Sequence, residues 1–242
     1  SGRSVIPILC YHSVGESQNV EGDSLSVSDF EKHLFYLKEN YTVIPLREAV
    51  RILEGDVDNI QNPVVVTFDD GYEDNYINAF PLLKKYGVPA TFFLVTGFIN
   101  KDFSLIDDED FDPLTWKQIR EMDSYNFIDF GCHTDTHRIL SRIDKSEIYD
   151  EISTSKSILE HELEHEIDFF AYPNGQFSDV CENAISAVKE IEFLCACSTF
   201  WKTSHLEEEK YTMNRIMITG SDKLDTLKLK VKGHYDFIYY IQ

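Results

Sequence analysis

Positive charge is scarce in this chain: 22 lysines and arginines stand against 43 aspartates and glutamates, a formal net charge of −21. So anionic a surface repels a polyanion, which excludes nucleic acid as a partner bound through counterion release. Much of the acid sits in two runs, Asp107 to Asp112 and Glu207 to Glu209, which read as solvated faces. Apolar runs approaching the ~18 residues that cross a bilayer are missing, so no transmembrane segment is expected. The cysteines (Cys10, Cys132, Cys181, Cys195 and Cys197) form no C-x-x-C pair and leave an odd one over. Buried thiols in a reducing compartment fit that usage, with one or two disulfides as the alternative. No leader is read ahead of the fold; the cytoplasm is the expected compartment, and the cell envelope or secretion after removal of a leader is the alternative.

Proline and glycine, 7 and 11 in number, are not gathered into linkers, and no internal repeat or low-complexity segment appears. Residues 1–242 therefore read as a single domain, long enough to bury a sizeable core. Strand-like and helix-like segments alternate along it. Residues 5–11, 41–45, 63–68, 90–95, 127–132, 169–172, 193–198 and 214–218 read as strands. Helices are expected over 47–54, 73–86, 145–166 and 178–190, with a short one from Thr115. Another opens on the capping box Ser28-Asp29-Phe30-Glu31, and Gly87 stops 73–86 ahead of Pro89. Residues 97–113 read as an acidic loop insertion, and 224–241 are ambiguous. Repeated β–α units favour an α/β domain with a parallel sheet closed into a barrel. In a barrel, reactive groups belong at the C-terminal ends of strands, where Asp69, Asp70, His133, Tyr172 and Pro173 all fall.

The densest chemistry is Thr67-Phe68-Asp69-Asp70-Gly71-Tyr72, after the apolar run Pro63-Val64-Val65-Val66. Two carboxylates at the end of a buried strand are expensive unless something uses them. His133-Thr134-Asp135-Thr136-His137 supplies imidazoles one turn apart if that stretch is helical. One carboxylate with two neutral imidazoles makes a facial triad that leaves coordination positions open. If both aspartates bound the ion, nothing would remain to take a proton from water, so one ligand and one base is the economical division. Side chains adjacent on an extended segment diverge, which suits the split. By the same alternation Cys132 points away from His133. Asp135 is expected to face solvent or cap the following helix.

These motifs resemble the polysaccharide deacetylase family, also called the NodB-homology or family 4 carbohydrate esterase domain, over about residues 7–218. The opening Pro7-Ile8-Leu9-Cys10-Tyr11-His12-Ser13-Val14, Leu114-Thr115-Trp116 and Phe170-Ala171-Tyr172-Pro173-Asn174-Gly175 resemble the subgroup that deacetylates exopolysaccharide N-acetylglucosamine polymers. The resemblance implies a distorted (β/α)7 barrel. It also implies removal of N-acetyl groups from amino sugars of a polysaccharide or lipid-linked saccharide. Asp69 would be the general base, and Asp70, His133 and His137 would hold zinc or a similar divalent ion (cobalt, nickel or iron). The backbone N–H of Asn174 would steady the oxyanion. Two elements of the family pattern are missing. No arginine shortly precedes Pro173, and Arg215 is the candidate replacement that orients the base. No histidine lies in residues 213–220 to act as the acid, and His12, at the end of the first strand, is the candidate.

Of the other histidines, His33, His161 and His165 fall on helices and read as surface residues. His205 and His234 carry no pattern. Tyr72, Trp116, Tyr172 and Trp201 offer rings for stacking on a sugar, with core packing as the alternative; Tyr172 and Trp201 are the substrate candidates. Rival readings are an O-acetyl carbohydrate esterase of the acetyl-xylan type and a non-catalytic carbohydrate-binding protein.

Overall fold

The computed structural model describes residues 4–15, 24–57, 60–99 and 112–242. Most of the expected acidic insertion, residues 100–111, lies outside them. The first expected strand is divided. Ser4–Val5 (β1) pairs antiparallel with Ser204–His205, and Ile8–Tyr11 (β2) enters the main sheet. Helix α1 (Val27–Asn40) begins two residues earlier than the Ser28 box implied, because the Ser26 side chain accepts from the Asp29 N–H. Thr42–Val43 (β3) and α2 (Leu46–Glu54) lead to β4 (Pro63–Phe68).

After β4 a π-helical turn, Asn75–Ala79, runs into α3 (Phe80–Tyr86), which ends at Gly87 in the left-handed conformation. Then come β5 (Ala90–Leu94), α4 (Thr96–Ile99), α5 (Trp116–Asp123, capped by Thr115) and β6 (Ile128–Cys132). The long helix α6 is Lys145–Leu163, shorter than the pattern suggested because Glu164 turns left-handed. Next are β7 (Phe169–Ala171), α7 (Glu182–Glu190) and β8 (Cys195–Cys197). The chain ends with β9 (Ser204–His205), β10 (Ile216–Met217), α8 (Leu224–Val231) and the 3-10 turn Asp236–Tyr240.

Seven parallel strands curl in the order β10-β2-β4-β5-β6-β7-β8, with β3 on the N-terminal residues of β4. Among the described residues β8 and β10 do not pair; β8 is bridged instead by Met213, ahead of β10, so the barrel is distorted at that seam. Strand alternation divides the core in two. Val64, Val66 and Phe68 face the helices together with Leu9, Tyr11, Phe130 and Phe170. Ile8, Val65, Phe93, Phe169, Ala171, Cys195 and Met213 face inward, joined by the apolar face of α2. Gly131 is small because Phe93 fills the interior there: a Cβ would lie 2.6 Å from that ring. Carried along each strand, the same parity sends Cys10, Thr67, Asp69, His133 and Arg215 inward. All five cysteines are free thiols, and no helix among the described residues is long and apolar enough to cross a membrane.

His33 is not the surface residue its helix suggested. It is buried under α1, with its Nδ1 3.2 Å from the Tyr11 hydroxyl and its Nε2 without a partner. Burial disfavours the imidazolium and pushes the group down to about 4. The unfolded chain, with a histidine value of about 6.5, binds the extra proton first, so stability is full above that value. Stability then falls as pH drops through the window toward about 4. Chemical denaturation at pH 7 and pH 4.5 should show a loss of about 2–3 kcal/mol from this site. The loss should disappear in His33→Gln; an unchanged difference would remove His33 as its source.

Candidate active site

At the C-terminal mouth of the barrel lies a cavity of about 210 Å³. His12, Asp69, Asp70, His133 and His137 line it, and Asn174, Gln176, Thr199 and Met217 complete the wall. A larger cavity of about 500 Å³ lies at α6 between Tyr149 and Glu192; it is lined by Lys156, Glu160, Glu166 and Asp168, and no imidazole lines it.

Asp69 sits at the end of β4 on the inward side and is 3% exposed. Both its oxygens are engaged by Arg215, at 2.6 Å from Nη1 and 2.6 Å from Nη2. The Cys10 thiol donates to Oδ2 at 3.4 Å. Arg215 is fully buried; its Nε donates to the Ser198 carbonyl at 2.9 Å and Nη1 to the Thr67 hydroxyl at 3.2 Å. Burial raises the Asp69 carboxyl, but the charge and hydrogen bonds of Arg215, with the nearby His133 and His12, together outweigh it and hold the group below its ordinary value. A carboxylate thus stays ionised in a nearly dry interior.

Asp70 is turned out of the strand line by a left-handed backbone, φ 72°, followed by Gly71 at φ 82°. A side chain at Gly71 would press on Leu94 at 2.9 Å, so glycine is needed there for space as well as conformation. The Asp70 Oδ1 atom is buried and has no hydrogen-bond partner. It faces the Nε2 atoms of His133 at 3.4 Å and His137 at 3.3 Å. The other ring nitrogen of His133 lies 2.8 Å from the Ala171 carbonyl. A carbonyl only accepts, so Nδ1 carries the proton and Nε2 keeps a lone pair toward Asp70. An orphaned carboxylate oxygen between two imidazole nitrogens is the donor set of a divalent ion, and these residues fit one.

His133 and His137 do not share a helical turn. Thr134 and His137 are left-handed (φ 67° and 58°), and the Thr134 hydroxyl accepts the His137 N–H at 3.0 Å. Glu151, on the inner face of α6, clamps the loop between them. Its Oε2 accepts the backbone N–H groups of Asp135 at 3.1 Å and Thr136 at 2.9 Å, and its Oε1 accepts the Thr136 hydroxyl. Asp135 neither faces solvent freely nor caps the following helix: its carboxylate accepts from the Thr96 hydroxyl at 2.7 Å.

His12 is half-buried, with Nε2 4.0 Å from Asp70 Oδ2 and Nδ1 unpartnered. Its carbonyl accepts from the Asn75 side chain at 2.8 Å, and Asn78 reaches the Val14 carbonyl at 2.7 Å. The π-helical turn thereby fixes the segment after β2. Asn174 takes φ 57°, and Gly175 follows at 68°. The Asn174 carbonyl accepts from the Thr199 hydroxyl at 2.6 Å.

Two substrate candidates stand elsewhere. Tyr172 has the parity of Phe170, so it points to the helix side, buried, with its hydroxyl donating to the Tyr211 carbonyl at 2.9 Å. Trp201 packs against the same outer core under Lys230, whose ammonium lies 4.7 Å from the ring centroid, and does not line the cavity. Sequence reading missed Glu151, Asn75 and Cys10. Glu151 left one signal: an acid on the apolar stripe of α6, between Ile148, Ile152, Ser155 and Leu159.

The fold is a distorted parallel α/β barrel with a carboxylate–imidazole cluster at its C-terminal mouth. A family model described as polysaccharide deacetylase matches residues 56–191, and the chain belongs to the polysaccharide deacetylase family. YxkH of Bacillus subtilis (strain 168) is 28% identical over 217 residues, 88% of this chain and 71% of that one. A poly-beta-1,6-N-acetyl-D-glucosamine N-deacetylase of Staphylococcus aureus (strain MRSA252) is 25% identical over 211 residues, 84% and 70% of the two chains. The structure of the Streptococcus pyogenes deacetylase PplD in complex with acetate superposes with a TM-score of 0.81 at 25% identity, covering 93% of this chain and 97% of that one. These relatives make the chain a deacetylase.

Proposed function

We propose that this deacetylase is metal-dependent and removes N-acetyl groups from the amino sugars of a polysaccharide or lipid-linked saccharide. The observation that carries the reading is the orphaned Asp70 oxygen facing His133 and His137, beside an Asp69 that Arg215 occupies and keeps ionised. Asp70, His133 and His137 are the ligands, and a divalent ion such as zinc, when bound, supplies an electrophile that acidifies water and offsets negative charge.

Asp69 accepts the proton of the attacking water at a carboxylate oxygen while Arg215 fixes the plane of that carboxylate. The Asn174 N–H stabilises the charge developing on the amide oxygen. An amine leaves poorly unless protonated, and His12, at the cavity wall, gives it a proton. The N-acetyl-glucosamine polymer deacetylase among the relatives supports an amide rather than an ester substrate. Mass spectrometry of acetylated saccharides incubated with zinc-loaded protein tests this. Acetate loss from N-acetylglucosamine oligomers is expected; loss from acetylated xylan alone would replace the reading by an O-acetyl esterase.

Glu151 bears on the same centre without touching it. Glu151→Ala frees two backbone N–H groups and lets the His133–His137 loop relax. Affinity for the ion should fall about 10–100-fold, the usual cost of losing a group that holds ligands in place. Competition against a chromophoric chelator measures it, and an unchanged affinity would show that the loop holds its shape unaided.

A further inference from the structure

The 210 Å³ cavity is small beside the roughly 300–1,000 Å³ that engulf a whole ligand. On the deacetylase reading above, an acetamido group enters and the rest of a saccharide chain lies outside. What the chain offers outside is aromatic. Gln176 and Thr199 line the cavity, and the residue after each is a phenylalanine. Phe177 and Phe200 stack with centroids 3.9 Å apart and planes inclined by 12°. Phe177 and Tyr239 lie nearly perpendicular with centroids 5.2 Å apart, and Tyr239 and Tyr240 likewise at 5.4 Å.

The array therefore runs from the cavity rim onto the surface, where Phe177 is 40% and Tyr240 74% exposed. It is also built rigidly. The Gln242 side chain accepts from the Trp201 backbone N–H at 2.9 Å and donates to the Thr199 carbonyl at 3.2 Å, tying Gln242 to the loop that carries Phe200. The Lys202 ammonium sits 4.4 Å over the Tyr239 ring. Exposed rings held in place are costly to keep wet. A ring face carries the negative lobe of its quadrupole and receives the C–H face of a pyranose.

We propose that Phe177, Tyr239 and Tyr240 form an outer saccharide subsite, which holds the sugar units next to the one being deacetylated. The occupant is a neighbouring unit of the same polymer chain, because the array is continuous with the wall of the cavity that takes the acetyl group. Affinity and kcat/KM should then grow with substrate length.

The test measures kcat/KM on β-1,6-linked N-acetylglucosamine from the monosaccharide to the pentasaccharide, and binding of the same series to chelator-treated protein by calorimetry. Tyr240→Ala and Phe177→Ala should each cost about threefold to tenfold on the longest oligomer. Both should leave the monosaccharide and a small acetyl ester unchanged. Tyr240 is largely exposed, so its truncation tests the subsite even if Phe177→Ala disturbs the Phe200 stack. A length dependence that survives both substitutions, in binding and turnover, overturns the subsite. So does an equal loss on every substrate. Ring-dependent binding without release of acetate would instead overturn the deacetylase reading and leave the subsite standing.

Discussion

Asp69→Asn should lower turnover by about 10²–10⁴-fold while the protein keeps its divalent ion. The amide preserves the shape of the group and removes its capacity to take a proton. It also sets an NH2 against one Arg215 N–H where the carboxylate accepted two, at 2.6 Å each. That mismatch leaves a guanidinium buried without its counter-charge, so a lower melting temperature accompanies the loss. Activity must therefore be read well below the transition, with metal content measured by mass spectrometry on the same sample. Asp70→Asn supplies the contrast: the Asp69–Arg215 pair stays whole, and the ion is lost. If Asp69→Asn released the ion and excess zinc restored turnover, the two carboxylates would have to exchange roles.

How much of this was legible in the sequence follows from the physics of alternation. The β–α rhythm and the apolar run before Asp69 give the barrel and place the carboxylates at its C-terminal mouth. Period two then assigns sides: Asp69 shares a face with Thr67 and Val65, and Cys132 faces away from His133. The same rule shows Tyr172 to be a core residue, since it shares parity with Phe170, and it could have been applied there. What lay beyond pattern was backbone conformation and long-range capping. Asp70, Thr134, His137 and Asn174 are left-handed without being glycine; three of them line the mouth, and Thr134 lies between His133 and His137. Such conformations cost about 1–3 kcal/mol each and persist where the surroundings impose them. For the histidine loop those surroundings are the Thr134 hydroxyl and Glu151 of α6, the second of which no spacing rule could couple to His133. His33 failed for a related reason: its helix position was read as surface, while Tyr11 and the strands had yet to be placed over it.

Arg215→Met should be the most destabilising single change at the site, and its pH dependence should reveal why. The guanidinium joins Asp69 just after β4 to the Ser198 carbonyl just after β8, and its carbon lies 5.3 Å from the Phe93 centroid. It thus spans the interior next to the seam where β8 and β10 do not pair. Removing it strands a buried carboxylate, at a cost of about 3–5 kcal/mol. In the native protein the depressed Asp69 value contributes stability above the unfolded carboxylate value of about 3.9, and that contribution is lost as pH falls through the folded value. In Arg215→Met, burial, the largest influence on Asp69, is opposed by the weaker pull of His133 and His12 and raises the group, so the sign reverses: the variant should gain stability on acidification from pH 7 toward pH 4.5, once His33 is silenced by His33→Gln. Urea denaturation at both pH values decides it, and a variant that loses stability on acidification would show that Asp69 finds another counter-charge. Asp69→Leu/Arg215→Met removes both charges. Because an apolar pair of similar volume often matches a buried ion pair in stability, this double variant should recover most of the lost stability and remain inactive. Recovery of the fold without recovery of turnover would assign the pair to catalysis rather than to holding the seam.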